Sequence, residues 1–236
     1  MAMSINSNNV VHQLQNQLTG VVGNSSVMVK FICSAVCIGY LLSFSDRALT
    51  ILTILPGNLL PPNFWIWTLV THVFVETHWW VVVCDVVVTV LYGKLVEPLW
   101  GALEMVKFTG VVTLVVAVMS TLSCLFVFLV TQNTDFLFQR HIHGLAGYVA
   151  GFSVAVKQCM PDYVLVNSPF GKLRNRHIPL VLLVLAIVLY FPKVVDFAFP
   201  IMFGWGILVS WVYLRFYQKH SSGNYGDMVD GFSFAK

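Results

Sequence analysis

Apolar residues in this chain fall in long runs rather than in a short alternating pattern. The runs are Val27–Phe44, with Lys30 near its start; Trp79–Val96, interrupted by Asp85; Val106–Val130; Gly144–Val156; Ile178–Phe191; and Phe197–Phe216. A helix needs about 20 mostly apolar residues to cross a bilayer. The fourth run, short and glycine-rich, and the fifth fall below that length. They are counted because the segments that bracket them and the charge pattern require them. The pattern predicts an all-α fold, a polytopic membrane protein with a six-helix transmembrane bundle. It divides the chain into a polar segment 1–26, a membrane domain 27–217 and a tail 218–236.

Composition supports the same picture. The chain is 58% hydrophobic and 10% charged, whereas a soluble domain carries about 25% charged residues. Too few charges remain to wet a surface, so much of the exterior must face lipid. The net charge of +3 comes from scattered basic residues with no Lys/Arg block, which argues against a nucleic-acid partner. Cys33, Cys37, Cys84, Cys124 and Cys159 form neither a CxxC pair nor a zinc set, and no disulfide framework or cofactor is expected.

Charge in the loops gives an orientation. Lys94, Lys107, Lys157, Lys172, Arg174, Arg176, Arg215, Lys219 and Lys236 fall on one side of a six-span topology, and Arg47, Arg140 and Lys193 on the other. Basic loops stay in the cytosol, so both termini are expected there. The first 26 residues lack Lys, Arg and an early apolar core, so the first run is read as a permanent signal anchor. The sequon Asn24-Ser25-Ser26 would then be cytosolic and unglycosylated. The Pro- and Trp-rich stretch from Pro56 to Trp67 reads as a loop lying in the membrane interface, or as a lateral surface touching a substrate. The tail reads as a disordered segment or as a docking motif for a coat or adaptor protein.

Ionisable groups inside a membrane are costly, which makes each one a candidate. Asp85 reads as a packing residue that ties two helices, or as a proton or ion site. His72, Glu76 and His78 precede the second run, and His141 and His143 precede the fourth. His72 and Glu76 would share a face if their stretch were helical. Imidazoles with a carboxylate can bind zinc, although this spacing is no zinc signature. Gly144, Gly147 and Gly151, at spacings of three and four, read as a smooth packing face, and Gly204, Gly206 and Ser210 do the same on the sixth run.

The layout resembles the rhomboid superfamily of intramembrane proteins. Trp67-Thr68-Leu69-Val70-Thr71, Gly93-Lys94-Leu95-Val96-Glu97, His143-Gly144 with Gly151, and Gly206 with Ser210 are similar to its motifs. The longer runs 61–69, 95–101 and 210–218 are similar to the transmembrane protein 115 family. That resemblance implies a rhomboid-like Golgi protein without protease activity. It implies a role in Golgi-to-ER retrograde transport and an indirect effect on glycosylation. The partners implied are the lipid bilayer, transmembrane clients, coat or tethering proteins, and a second copy of the chain. Against the rhomboid protease pattern, His143 stands at the nucleophile, Phe203 at the histidine base, Thr68 at the first-loop arginine, and Val81 and Asp85 at the oxyanion-assisting positions. A Ser–His dyad needs nucleophile and base within hydrogen-bond reach, and Phe203 can be no base. The alternative readings are a metal-dependent hydrolase built on His72, Glu76, His78, His141 and His143, and a proton-coupled carrier centred on Asp85.

Overall fold

The computed structural model describes residues 27–159, 164–168, 171–174 and 177–218. Segment 1–26 with its sequon, Arg176 and the tail beyond Gln218 lie outside the described residues. Long apolar helices dominate: α1 (Val27–Leu42), α5 (Trp79–Trp100), α6 (Ala102–Thr131), α8 (Ala146–Cys159), α9 (Ile178–Tyr190) and α10 (Ala198–Val212), which runs on through a π-helical turn, Tyr213–Tyr217. Between α1 and α5 lie the short helices α2 (Asp46–Leu52), α3 (Pro56–Leu59) and α4 (Thr68–Thr71), then a 3-10 turn, His72–Phe74. A fourth short helix, α7 (Asp135–Phe138), follows α6.

Among the described residues three helices are long and apolar enough to cross a membrane: α5, α6 and the continuous stretch Ala198–Tyr217. Between 33% and 39% of their most apolar windows is buried inside the protein. The remainder is apolar and outward, as at Leu91, Leu122, Phe126 and Leu208. An exterior of that kind is stable against lipid tails and not against water. The chain is a polytopic helical membrane protein.

Helix α8 is the axis of the bundle. Its 14 residues rise about 21 Å at 1.5 Å each, short of a bilayer core of about 30 Å. It tolerates that length because protein surrounds it: from Gly144 to Val156 every residue but Val149 is buried. Packing on α10 is tightest. A Cβ added at Gly206 would lie 2.5 Å from the Gly147 carbonyl oxygen and 2.8 Å from the Ala150 Cβ. One added at Gly151 would lie 2.5 Å from the Ser210 hydroxyl. Small residues let the two backbones approach, which replaces the hydrophobic drive that lipid does not supply. An aromatic cluster fills the other half of the core, with Phe108 edge-on to Phe152 and Tyr213.

Several expectations need adjustment. The second and third helices run longer than their apolar cores, to Trp100 and from Ala102. They meet at Gly101, whose φ of +84° turns the chain where a side chain would be strained. The fourth helix begins at Ala146 and not at Gly144, because Gly144 has φ +100° and cannot continue a helix. Val164–Ser168 and Gly171–Arg174, between the fourth and fifth helices, pair as two antiparallel strands in a fold expected to be all-α. The first loop is a chain of short helices; Trp65 and Trp67 stack at 5.6 Å, and the Trp67 indole donates to the Ile51 carbonyl.

Candidate functional site

The first loop and the segment before α8 are stitched together by their backbones. Ile54 and Ile142 exchange hydrogen bonds of 3.0 and 2.9 Å, and the Gly144 amide donates to the His72 carbonyl at 2.9 Å. That stitching brings four of the five predicted polar residues to one crevice, lined by Glu76, His78, His141, His143 and Asp196 with Val81, Val195, Ala198 and Phe199.

Glu76 is the centre of the site. It is 3% exposed. One carboxylate oxygen accepts the Leu145 amide at 3.1 Å, in the turn that opens α8. The other lies 3.8 Å from His143 Nδ1. A Cβ on Gly144 would collide with this carboxylate, so glycine is needed there for space as well as for φ. The opposite ring nitrogen of His143 lies 3.4 Å from an Asp196 carboxylate oxygen. An Asp196–His143–Glu76 line therefore runs from the half-exposed rim inward. It ends on Asp85 of α5, whose carboxyl is in hydrogen-bonding contact with Glu76.

Burial pushes the Glu76 carboxyl above its ordinary value, opposed by His143 and the Leu145 amide. Burial alone would lower His143, but the contact with Asp196 and the charges of Glu76 and Asp196 outweigh it and its pKa is raised. His143 in turn holds Asp196 below the ordinary carboxylate range. His141 is lowered, by burial and then by the His143 charge, and its Nδ1 shares a 2.7 Å hydrogen bond with Thr53.

His72 departs from the expectation. The helix at α4 and its 3-10 continuation end at Phe74, so His72 and Glu76 share no helical face. His72 is buried, its Nδ1 faces the Thr68 carbonyl at 3.2 Å, and burial lowers its pKa to about 4. It is a neutral strut and not part of the crevice. Among the described residues no three His, Cys, Asp or Glu side chains converge as a metal site would require. Gly144 belongs to this site rather than to a helix–helix face. Gly204 also departs from the packing role: a Cβ there would meet only Leu183 Cδ1, at an ordinary 3.9 Å, beside an apolar lateral groove. Sequence reasoning missed Asp196 and Thr53; a lone acid in a short loop beside a helix start was the available signal for the first.

Phe203 is 3% exposed in the core of α10. Its ring stacks with Phe199. Ser210 is fully buried, its hydroxyl unpartnered and set against Gly151.

A family described as eukaryotic integral membrane protein (DUF1751) matches residues 30–236. Mouse and human transmembrane protein 115 are each 42% identical to this chain over 221 residues, 94% of it and 62% of the relative. The chain thus spans less than two thirds of the length of these relatives. Rhomboid-like protein 19 of Arabidopsis thaliana is 26% identical over 92% of the chain and 70% of that protein. The chain belongs to this eukaryotic integral membrane family.

Proposed function

We propose that this protein is a non-catalytic rhomboid-like membrane protein of the Golgi. It acts in Golgi-to-ER retrograde transport, and so indirectly on glycosylation, by holding transmembrane clients or engaging coat and tethering proteins. Both termini face the cytosol, as the Lys/Arg bias favours, and the crevice at Glu76 opens to the lumen. One observation carries the non-catalytic reading: the position a histidine base would occupy is Phe203, packed in carbon and unable to take a proton. The nucleophile position is His143, engaged between two carboxylates. His143 instead faces Glu76 of the first loop at the start of α8, and Phe203 packs in the core.

Client binding is favoured by an apolar groove of about 620 Å3 open to the lipid between α1, the first loop and α6, lined by Phe31, Ile32, Phe74, Val106 and Leu114 among others. The test has two arms on Golgi membranes expressing the full chain. A fluorophosphonate probe should leave it unlabelled, and crosslinking should recover coat, tether or client proteins. Labelling of any serine, or crosslinks only to bulk residents that also react with an unrelated six-span protein, would overturn the reading.

A further inference from the structure

Beneath the crevice, the interior of the bundle holds polar oxygens that neither the rhomboid-like layout nor client binding uses. Asp85 is 4% exposed, and its carboxyl oxygen Oδ2 has no hydrogen-bond partner. The hydroxyls of Thr89, one turn further along α5, and Tyr148, on α8, are equally buried and equally unpartnered. Tyr148 lies beside Thr89 and within electrostatic reach of Asp85. Buried oxygens left without partners cost free energy. Three such oxygens on the facing helices α5 and α8 suit a bound water, which takes two to four polar partners.

On its other side Asp85 touches the Glu76 carboxyl. Two carboxylates both lack a donor, so a hydrogen bond between them requires a proton. The surroundings say where it sits. Glu76 accepts the Leu145 amide and faces His143, both of which favour its anion. Among the described residues no cation or amide donor faces Asp85.

We propose that Glu76 and Asp85 form a proton-binding site in the centre of the bundle, with one proton held on Asp85 and donated to Glu76, and a water bridging Asp85, Thr89 and Tyr148. The proton exchanges with the crevice through His143, the link between Asp196 and Glu76. The ionisable groups facing the pair are His143, before α8, and His78 of the first loop, both on Glu76, and Tyr148 of α8, on Asp85; behind them His72, His141 and Asp196 face His143, Arg140 faces Asp196, and Cys33 of α1 faces Tyr148. A second proton, taken up by Glu76 in acid, neutralises the group that holds the Leu145 amide and His143. The junction between first loop and α8 is then the part that loosens. This site does not depend on the Golgi reading and stands or falls by itself.

Infrared difference spectroscopy on the full chain in lipid nanodiscs tests it. The wild type at neutral pH should give a protonated-carboxyl C=O band that shifts in D2O. Asp85→Asn should abolish that band, and Glu76→Gln should move it to higher frequency, because an amide oxygen is a weaker acceptor than a carboxylate. No such band in the wild type, or the same band persisting in Asp85→Asn, would overturn the proposal. The wild-type spectrum decides even if a variant fails to fold.

Discussion

Replacing Gly206 by alanine adds one methyl group at the closest approach of α8 and α10. Its Cβ would sit 2.5 Å from the Gly147 carbonyl oxygen, 2.9 Å from the Gly147 Cα and 2.8 Å from the Ala150 Cβ. Two of those three atoms are backbone and cannot rotate away. To restore van der Waals contact at about 3.5 Å the helices must part by about 1 Å, against partners packed on both sides: α6 at Val116 and Phe108, and Ser210 over Gly151. Overpacking of this kind costs about 1–3 kcal/mol. Gly204, two residues earlier on the same helix, is the control: a Cβ there meets one side-chain atom at 3.9 Å, so Gly204→Ala should be neutral or stabilise by up to about 1 kcal/mol through helix propensity. Thermal or denaturant unfolding of both variants in one detergent reads the difference. Equal effects at the two glycines would refute the claim that the α8–α10 approach, rather than helix propensity, sets the cost.

Other outcomes follow from single contacts. Gly144→Ala forces a side chain to φ +100° and into the Glu76 carboxylate; it should cost at least about 1–2 kcal/mol and speed exchange of the Leu145 amide, measured by hydrogen–deuterium exchange. Trp205→Phe removes a 2.8 Å hydrogen bond from the indole to Ser123 that ties α10 to α6; about 0.6 kcal/mol is expected, and a chemical-denaturation series on wild type and variant measures it. Asp196→Asn tests the ion pair by pH. His143 is raised from 6.5, so its share of stability is present below that value and lost as pH rises through its folded pKa; Asp196 is lowered from 3.8, so its share is present above that value and lost as pH falls through its folded pKa. The melting temperatures of variant and wild type should therefore differ most between pH 3.8 and 6.5 and converge on either side; a gap independent of pH would count against the pair.

Much of the bundle was legible because lipid imposes a simple rule, that a run of apolar residues must bury its backbone polar groups in a helix. That rule locates α1, α5, α6, α9 and α10 and is blind to where a helix stops once the chain leaves the apolar core. Pro98 and Glu97 look like a terminus, yet α5 continues through them to Gly101. The glycine spacing of α8 matched a packing face at Gly147 and Gly151, while Gly144 answered to a different demand, room for a carboxylate from a residue 68 positions earlier in the chain. The candidate site was half legible. Glu76, His78, His141 and His143 stood out as ionisable groups at helix ends. Their meeting depends on the Ile54–Ile142 and Gly144–His72 backbone bonds, which carry no side-chain signature. Asp196 was passed over because one acid in a short loop looks like any solvated charge until His143 is placed beside it.

The central claim, a rhomboid-like protein that works in retrieval without hydrolysis, is tested most directly by rescue. Cells lacking the protein would be restored with the wild type or with a Ser153→Ala, Ser210→Ala double variant, which strips the described serines from α8 and α10. The rate at which a retrograde cargo returns from Golgi to ER is then measured. The account predicts slowed return in the deficient cells and equal rescue by both chains. Unchanged return without the protein, or failure of a folded double variant to rescue, would contradict it.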